Sequence, residues 1–83
     1  MYNQTDVQVI LQDSFPAAEV IVKSADNVHF EAIVVTDAFI GKKSIERQKM
    51  IYAILGTQLA SGAIHALSLK TFTQQEWSEK CDN

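Results

Sequence analysis

The chain has 83 residues, of which 47% are hydrophobic and 20% charged, and it carries a formal net charge of -3. This length predicts one domain with a single core and its functional site at the edge, and the apolar content favours a packed globular domain over disorder. The acidic balance argues against a domain built wholly around phosphate binding. No apolar run approaches the roughly 20 residues of a membrane span, so we expect no membrane partner.

The single cysteine, Cys81, cannot form an internal disulfide, which removes any argument for an oxidising compartment. The acidic, polar start over residues 1–6 lacks the basic region of a signal peptide. We therefore expect a cytoplasmic protein. It should form a single domain over residues 1–83, with a core of about residues 4–78 and Cys81 in a short flexible C-terminal tail.

Capping and alternation patterns predict one helix and two strands in the first half of the chain. Thr5-Asp6-Val7-Gln8 has the form of a capping box, and apolar residues at helical spacing follow it until about Ser14, just before a proline. Alternating apolar residues predict strands over 18–23 and 28–36. A turn over 24–27 joins them into a hairpin.

A loop and a longer helix come next. The loop covers residues 37–43 and is centred on Gly41, and the helix runs from a capping residue, Ser44, to Ala60. Gly56 could bend or end this helix, and Gly62 suits its stop. Its predicted apolar face consists of residues at three- to four-residue spacing: Ile45, Ile51, Tyr52, Leu55 and Leu59.

The last part of the chain predicts a third strand and a short helix. Residues 62–71 alternate in the pattern of a strand with a buried face, and His65 stands at its head on the same side as two leucines. Thr73-Gln74-Gln75-Glu76 is a second capping box, and Trp77 should lay the final helix on the sheet.

The predicted order is helix, strand, strand, helix, strand, helix. A hairpin plus one returning strand makes a three-stranded mixed sheet, because the long crossover allows one parallel pairing. Helices should cover one face of this sheet, so the fold class is α+β.

His29 and His65 are the only histidines, and they lie on different strands of the predicted sheet. Two imidazoles do not complete a four-coordinate site, and Cys81 in a tail is a poor third ligand, so a tight soft-metal site needs ligands from another molecule. An iron-sulfur centre with mixed Cys and His ligation is chemically reasonable. The alternative is that neither histidine binds a metal: His65 is a half-buried residue of a strand, and His29 is an exposed residue next to a turn. Spacing alone favours this alternative.

A basic segment contains Lys42, Lys43, Arg47 and Lys49 against Glu46, a local excess of three positive charges. It could lay a helix N-terminus and its cations against phosphate. The alternative is a solvated helix face, which so few cations on an acidic domain favour. The hairpin-plus-helix arrangement is similar to the KH fold of RNA-binding proteins, but no Gly-x-x-Gly loop occurs.

Other chemistry-bearing patterns are weak. The sequence shows no Gly-rich phosphate loop, no Ser-His-acid arrangement and no carboxylate pair that spacing brings together, so we expect no enzyme. Phe39 and Trp77 are the apolar residues to inspect for exposure, and Trp77 is either a core lid or a partner anchor. A homodimer through the sheet edge or Trp77 stays possible on these grounds.

Three blocks of sequence together resemble the BolA family, and they span roughly His29 to Trp77. Their order along the chain is more specific than any one block. The blocks are Phe30-Glu31-Ala32-Ile33-Val34-Val35-Thr36-Asp37-Ala38-Phe39, then Gly41-Lys42-Lys43-Ser44 with Arg47 and Tyr52, and finally Ile64-His65-Ala66-Leu67-Ser68-Leu69-Lys70-Thr71 with Glu76-Trp77.

The resemblance implies a class II KH-like fold and a shared iron-sulfur site. BolA-like proteins form heterodimers with monothiol glutaredoxins, bridged by a two-iron, two-sulfur cluster that a glutaredoxin Cys and a glutathione thiol ligate from one side. The BolA-like partner contributes its C-terminal His, here His65, and a His or Cys from the loop between the first two strands, here His29. The isolated chain would bind no cofactor by itself.

The resemblance also implies a second role, because some bacterial members are described as transcriptional regulators. The matching candidates for DNA contacts are Lys42, Lys43, Arg47, Lys49 and Lys70. Many members of the family have an Arg-His-Arg run where this sequence has Gln48-Lys49. This difference weakens the case that the DNA contacts of those members also occur in this chain. Gln74 replaces a usual Pro, which affects only the first turn of the last helix.

The leading hypothesis is a non-catalytic adaptor that pairs with a monothiol glutaredoxin and helps hold a cluster through His65 and His29, in iron homeostasis or cluster trafficking. Imidazole ligates in its neutral form, so acidification should weaken the assembly. The rival hypothesis is a DNA-binding transcriptional regulator that uses the basic segment 42–49.

Overall fold

The computed structural model describes residues 3–26, 29–61 and 66–81, and its elements follow the predicted order. A short 3-10 helix, Asp37–Phe39, occupies part of the predicted loop after the second strand. The other elements are α1 (Gln4–Ser14), β1 (Glu19–Lys23), β2 (His29–Val35), α2 (Ser44–Ala60), β3 (Ala66–Phe72) and α3 (Gln74–Cys81). The predicted α+β class is confirmed.

The three strands form one mixed sheet in the order β1-β2-β3. β1 and β2 are antiparallel, with Val20 opposite Val34, and β2 and β3 are parallel, with His29 opposite Ala66. α2 is the crossover that the parallel pairing requires. The predicted hairpin and returning strand are confirmed.

α1 begins one residue before the predicted capping box, so that part of the prediction is wrong. The cap is Asn3, whose Oδ1 accepts from the Asp6 backbone N–H at 2.9 Å, while Asp6 Oδ2 accepts from the Asn3 N–H at 3.1 Å. An amide oxygen at this position satisfies a free N–H of the first turn, and the carboxylate suits the positive end of the helix dipole. The helix ends at Ser14, as predicted.

The two later helices start in different ways. α2 has Lys43, not the predicted Ser44, as its cap residue, and Glu46 Oε1 accepts from the Lys43 N–H at 3.1 Å. The predicted capping box of α3 is confirmed: Glu76 Oε1 accepts from the Thr73 N–H at 2.7 Å, and Thr73 Oγ1 accepts from the Glu76 N–H at 3.2 Å. Reciprocal bonds of this kind define where a helix begins.

Gly41 is the turn residue of the predicted loop, with a φ of 77° that disfavours residues with a Cβ. Gly56 does not end α2, which continues to Ala60. Gly62, the predicted stop, lies outside the described residues, as does the predicted first half of the third strand. The described part of that strand begins at Ala66.

The core lies between the sheet and the two longer helices, which pack against each other. Phe39 is fully buried, with its ring 5.7 Å from that of Phe15, so its predicted possible exposure is wrong. β3 adds Leu67 and Leu69, which are partly buried against this core. The buried hydrophobic cluster consists of Val7, Leu11, Val20, Val22, Phe30, Ala32, Val34, Phe39, Ile51 and Leu55.

The predicted apolar face of α2 is too broad. Ile51 and Leu55 are fully buried, but Ile45 is 57% exposed and Tyr52 39% exposed. The sheet covers only the side of α2 that carries Ile51 and Leu55, so the flank with Ile45 and Tyr52 faces solvent. Among the described residues, no helix is long and apolar enough to cross a bilayer.

Three glutamines spaced one turn apart on α1 bond to backbone groups of β1 and of the residues that flank this edge strand. Gln4 Oε1 accepts from the Ser24 N–H at 3.1 Å, Gln8 Nε2 donates to Val20 O at 3.2 Å, and Gln12 Nε2 donates to Ala18 O at 2.8 Å. Backbone groups on an edge strand invite pairing with another chain. The glutamine side chains occupy those groups and fix α1 beside the sheet.

Candidate functional site

His29 stands at the start of β2 with its side chain 71% exposed. Its Nδ1 lies 2.9 Å from Asp26 Oδ2, and its backbone N–H donates to Asp26 Oδ1 at 2.9 Å. One carboxylate therefore holds both the backbone and the ring of the histidine. We call His29 with Asp26 the His29 corner.

The His29 corner has the chemistry of an oriented metal ligand. When Asp26 accepts a hydrogen bond from Nδ1–H, the ring is in the tautomer whose Nε2 carries the free lone pair. Metal-binding histidines typically donate their other ring N–H to a carboxylate or carbonyl in this way. Asp26 was predicted only as a turn residue, although an Asp three residues before a His in a turn is a usable signal.

His65, the other predicted ligand, lies outside the described residues, so its position relative to His29 is untested. The sequence places it directly before Ala66, and Ala66 is the register partner of His29. Within the described ranges, no group of three or more His, Cys, Asp or Glu side chains could hold a metal ion. Cys81 is the last residue of α3.

An open cavity of about 570 Å³ adjoins the His29 corner. Its lining comes from α1 and all three strands, and it mixes cationic, anionic and neutral groups. The polar lining residues are Gln4, Lys23, Ser24, Glu31 and Ser68, together with Asp26 and His29. The cavity therefore gives an incoming molecule a surface of mixed polar and apolar groups beside the imidazole.

Arg47, a predicted DNA contact, is instead held inside the fold, with its side chain only 11% exposed. Its Nη1 donates to Glu76 Oε1 at 2.7 Å, its Nε donates to Lys42 O at 2.9 Å, and its guanidinium carbon lies 5.6 Å from the Phe39 ring centre. A further contact joins Nη1 to Thr71 O at 3.4 Å. We call this set of contacts the Arg47 cluster.

The Arg47 cluster connects α2 to the preceding loop, the end of β3 and the start of α3. The hydrogen bond from Arg47, followed by the one from the Thr73 backbone, lowers the pKa of Glu76 below its usual value of 4.5. Glu76 thus caps α3 and binds Arg47 with the same carboxylate. Because the partners lie 29 residues apart, no local sequence signal could have revealed this pair.

The remaining predicted DNA contacts do not form one surface. Lys42, Lys43 and Lys49 are exposed around the start of α2, and no ion pair with another described residue involves them. Lys70 lies on the sheet face turned away from the helices, 3.7 Å from Glu31. The structure therefore groups three of the five cations and separates Arg47 and Lys70 from them.

Trp77 is half-buried, and its ring centre lies 5.2 Å from that of Phe72. This contact attaches α3 to the last residue of β3. The prediction that Trp77 lays the final helix on the sheet is confirmed.

A family model, a solved structure and curated relatives that are similar to this chain all point to one family. The family model described as "BolA-like protein" matches residues 3–76. A bolA protein homologue from Coxiella burnetii has a similar solved structure, with a TM-score of 0.81 and 35% identity, covering 94% of this chain and 99% of that one.

Two relatives from Escherichia coli strain K12 have functional names. The acid stress protein IbaG is 34% identical over 73 residues, which cover 88% of this chain and 86% of that relative. The DNA-binding transcriptional regulator BolA is 38% identical over 56 residues, covering 68% of this chain and 52% of the regulator. Neither name is that of an enzyme. The family predicted from the sequence is confirmed, and the chain belongs to the BolA family.

Proposed function

We propose that this chain is a non-catalytic adaptor that pairs with a monothiol glutaredoxin and provides imidazole ligands, His29 and His65, to a shared two-iron, two-sulfur cluster. The observation that carries the proposal is the His29 corner. Its imidazole is exposed, oriented by Asp26 through Nδ1, and free to present Nε2 to a metal outside the chain.

The donor set of the chain fits a shared cluster better than a resident one. The sequence contains two His and one Cys, so this chain alone cannot supply the sulfur ligands that iron-sulfur clusters require. A second molecule that brings thiolates completes the set. When bound, the cluster supplies iron that accepts imidazole in place of thiolate, as in Rieske centres.

This chain contributes the orientation of the His29 ring and the position of its proton. Asp26 holds the His29 ring and keeps the proton on Nδ1, which leaves Nε2 as the ligand atom. The adjoining cavity gives the approaching molecule room beside the ring.

The test is to mix the protein with a cluster-loaded monothiol glutaredoxin and glutathione, and to record visible absorption and circular dichroism. We expect the wild-type spectrum to change with His29→Ala and with His65→Ala, because each removes an iron ligand. Glu19→Ala, on an exposed position of β1 outside the cavity lining, is the matched control and should preserve the spectrum. Spectra that are identical for the wild type and both histidine variants would refute the ligand assignment.

A second variant tests the role of Asp26 separately. Asp26→Asn retains an oxygen for the His29 backbone N–H but places an amide beside Nδ1, which favours the wrong ring tautomer. We expect a spectrum closer to that of His29→Ala than to the wild type. Nitrogen NMR of the histidine ring in the free protein identifies the tautomer directly.

The rival function, DNA binding, has less support from the site geometry. Arg47 is committed to Glu76 and to two carbonyl oxygens, and Lys70 lies on the far face of the sheet. Three exposed lysines on a chain of net charge -3 provide a weak phosphate surface. One relative is named as a DNA-binding transcriptional regulator, so binding of duplex DNA is measured as well.

A further inference from the structure

Four large hydrophobic side chains are exposed in the described part of the chain. Ile40 is 65% exposed, Ile45 57%, Val9 51% and Tyr52 39%. Ile45 and Tyr52 lie on α2, Ile40 lies in the loop just before it, and Val9 lies on α1. α1 and α2 pack against each other over the same face of the sheet, so Val9, Ile45 and Tyr52 belong to one helical layer.

The exposed flank of α2 is apolar and basic. Ile45, Lys49 and Tyr52 are spaced at i, i+4 and i+7, so they share one face of the helix. Gly56 continues that face, and a side chain at its position would meet nothing within 4 Å. With Arg47 neutralised by Glu76, the three exposed lysines against Glu46 leave a local excess of two positive charges.

The exposed flank of α1 has the complementary character. Asp6, Val9 and Asp13 are spaced at i, i+3 and i+7, and all three are exposed. α1 contains no basic residue. An aliphatic side chain between two carboxylates on α1 therefore matches aliphatic and aromatic side chains beside lysine on α2.

We propose that the helical layer is a self-association surface, on which α1 of one molecule packs against α2 of a second copy. Because both helices belong to the same layer, a twofold axis lets the two α1 to α2 contacts form together, which is the geometry of closed dimers. Val9 then packs against Ile45 and Tyr52 of the second copy, and Asp13 faces Lys49. This dimer uses neither the sheet edge nor Trp77.

The proposed dimer leaves the His29 corner free. His29 and Glu31 alternate with the buried Phe30 and Ala32, so they face away from the helical layer. A dimer formed through the helices therefore presents two His29 corners on its outer faces. The dimer is independent of the cluster hypothesis, and His29→Ala should not affect it.

The experiment measures molar mass by sedimentation and light scattering as the concentration of purified protein rises from about 10 μM to about 1 mM. We expect a monomer to dimer transition that weakens as salt is added, since exposed charges are screened. Asp13→Lys and Lys49→Asp alone should each raise the dissociation constant by at least on the order of tenfold, because like charges then face each other twice. Mixing the two variants should restore dimers, since both contacts become attractive again.

Glu19→Lys and Lys23→Asp, on exposed positions of β1, are the matched charge-reversal controls and should retain the wild-type mass. Circular dichroism checks that every variant is folded. A monomeric mass throughout the concentration range overturns the proposal. So does a dimer that the two α-helical variants and their mixture do not change. Duplex DNA is added to a second set of the same samples, and a wild-type protein that stays monomeric and binds this DNA, with binding lost in Lys49→Asp, also overturns the proposal.

Discussion

The Arg47 cluster and the His29 corner each centre on a cationic or ionisable residue that the sequence singled out for binding, and the fold treats them in opposite ways. Arg47 is 11% exposed and contacts a carboxylate, two carbonyl oxygens and a ring, whereas His29 is 71% exposed and its ring contacts one carboxylate. A side chain that gives most of its donors to acceptors of its own chain serves the fold, and one with an exposed ring nitrogen at the surface can serve a partner. The following predictions test this difference, in order of decreasing expected effect on stability.

The largest effect should come from Phe39, the ring beneath the Arg47 guanidinium. Phe39→Ala removes a fully buried side chain and should lower the free energy of unfolding by about 3–5 kcal/mol, measured by urea denaturation. Its neighbour Ile40 is 65% exposed, and Ile40→Ala should stay within about 0.5 kcal/mol. Equal effects of the two substitutions would show that Phe39 does not anchor the cluster.

Arg47 itself comes next. Arg47→Ala removes charge-assisted bonds that join three elements, so the free energy of unfolding should fall by roughly 2–3 kcal/mol. Arg47→Lys keeps the charge but not the planar fork, and should recover only part of that loss. Lys49→Ala, on the exposed flank of the same helix, is the control and should change stability by less than about 0.5 kcal/mol. If Arg47→Ala leaves the free energy of unfolding unchanged, Arg47 is again a candidate for contact with nucleic acid.

Glu76 makes the Arg47 cluster sensitive to acid. Its pKa is lowered in the folded state, so between that lowered value and the usual 4.5 the unfolded chain binds more protons, and stability falls as the pH decreases. The contribution is fully present above pH 4.5 and lost as the pH falls through the lowered value. Glu76→Gln should flatten this part of the curve of unfolding free energy against pH. A curve as steep as that of the wild type would assign the acid response to other carboxylates.

The smallest effect on stability should come from His29. His29→Ala removes one exposed hydrogen bond, so the free energy of unfolding should change by less than about 0.5 kcal/mol, while the cluster spectrum with glutaredoxin changes. Thermal unfolding of the free protein measures the stability, and visible circular dichroism of the complex made from the same purified protein measures the cluster spectrum. A destabilisation as large as that of Arg47→Ala would instead make the His29 corner a structural turn.

Much of the fold could be predicted because its signals are local. The end of α1 at Ser14, the capping box at Thr73 and Glu76, and the alternation through Phe30, Ala32 and Val34 each depend on residues a few positions apart. The start of α1 was misplaced because two capping patterns overlap, and the bond between Asn3 and Asp6 forms instead of the one predicted from Thr5. Ile45 and Tyr52 belong to the predicted apolar face of α2 but are exposed, because spacing cannot show how wide a flank the sheet covers.

The candidate site divides in a similar way. The residue type and strand position of His29 were readable from the sequence, and its role as a ligand, with that of His65, stays a prediction. The sequence by itself determined the order of the elements, the family and the count of possible ligands, because these depend on pattern and composition. Tertiary structure alone decided that Arg47 meets Glu76 across 29 residues, since only packing brings distant side chains together and thereby selects which charges remain available to a partner.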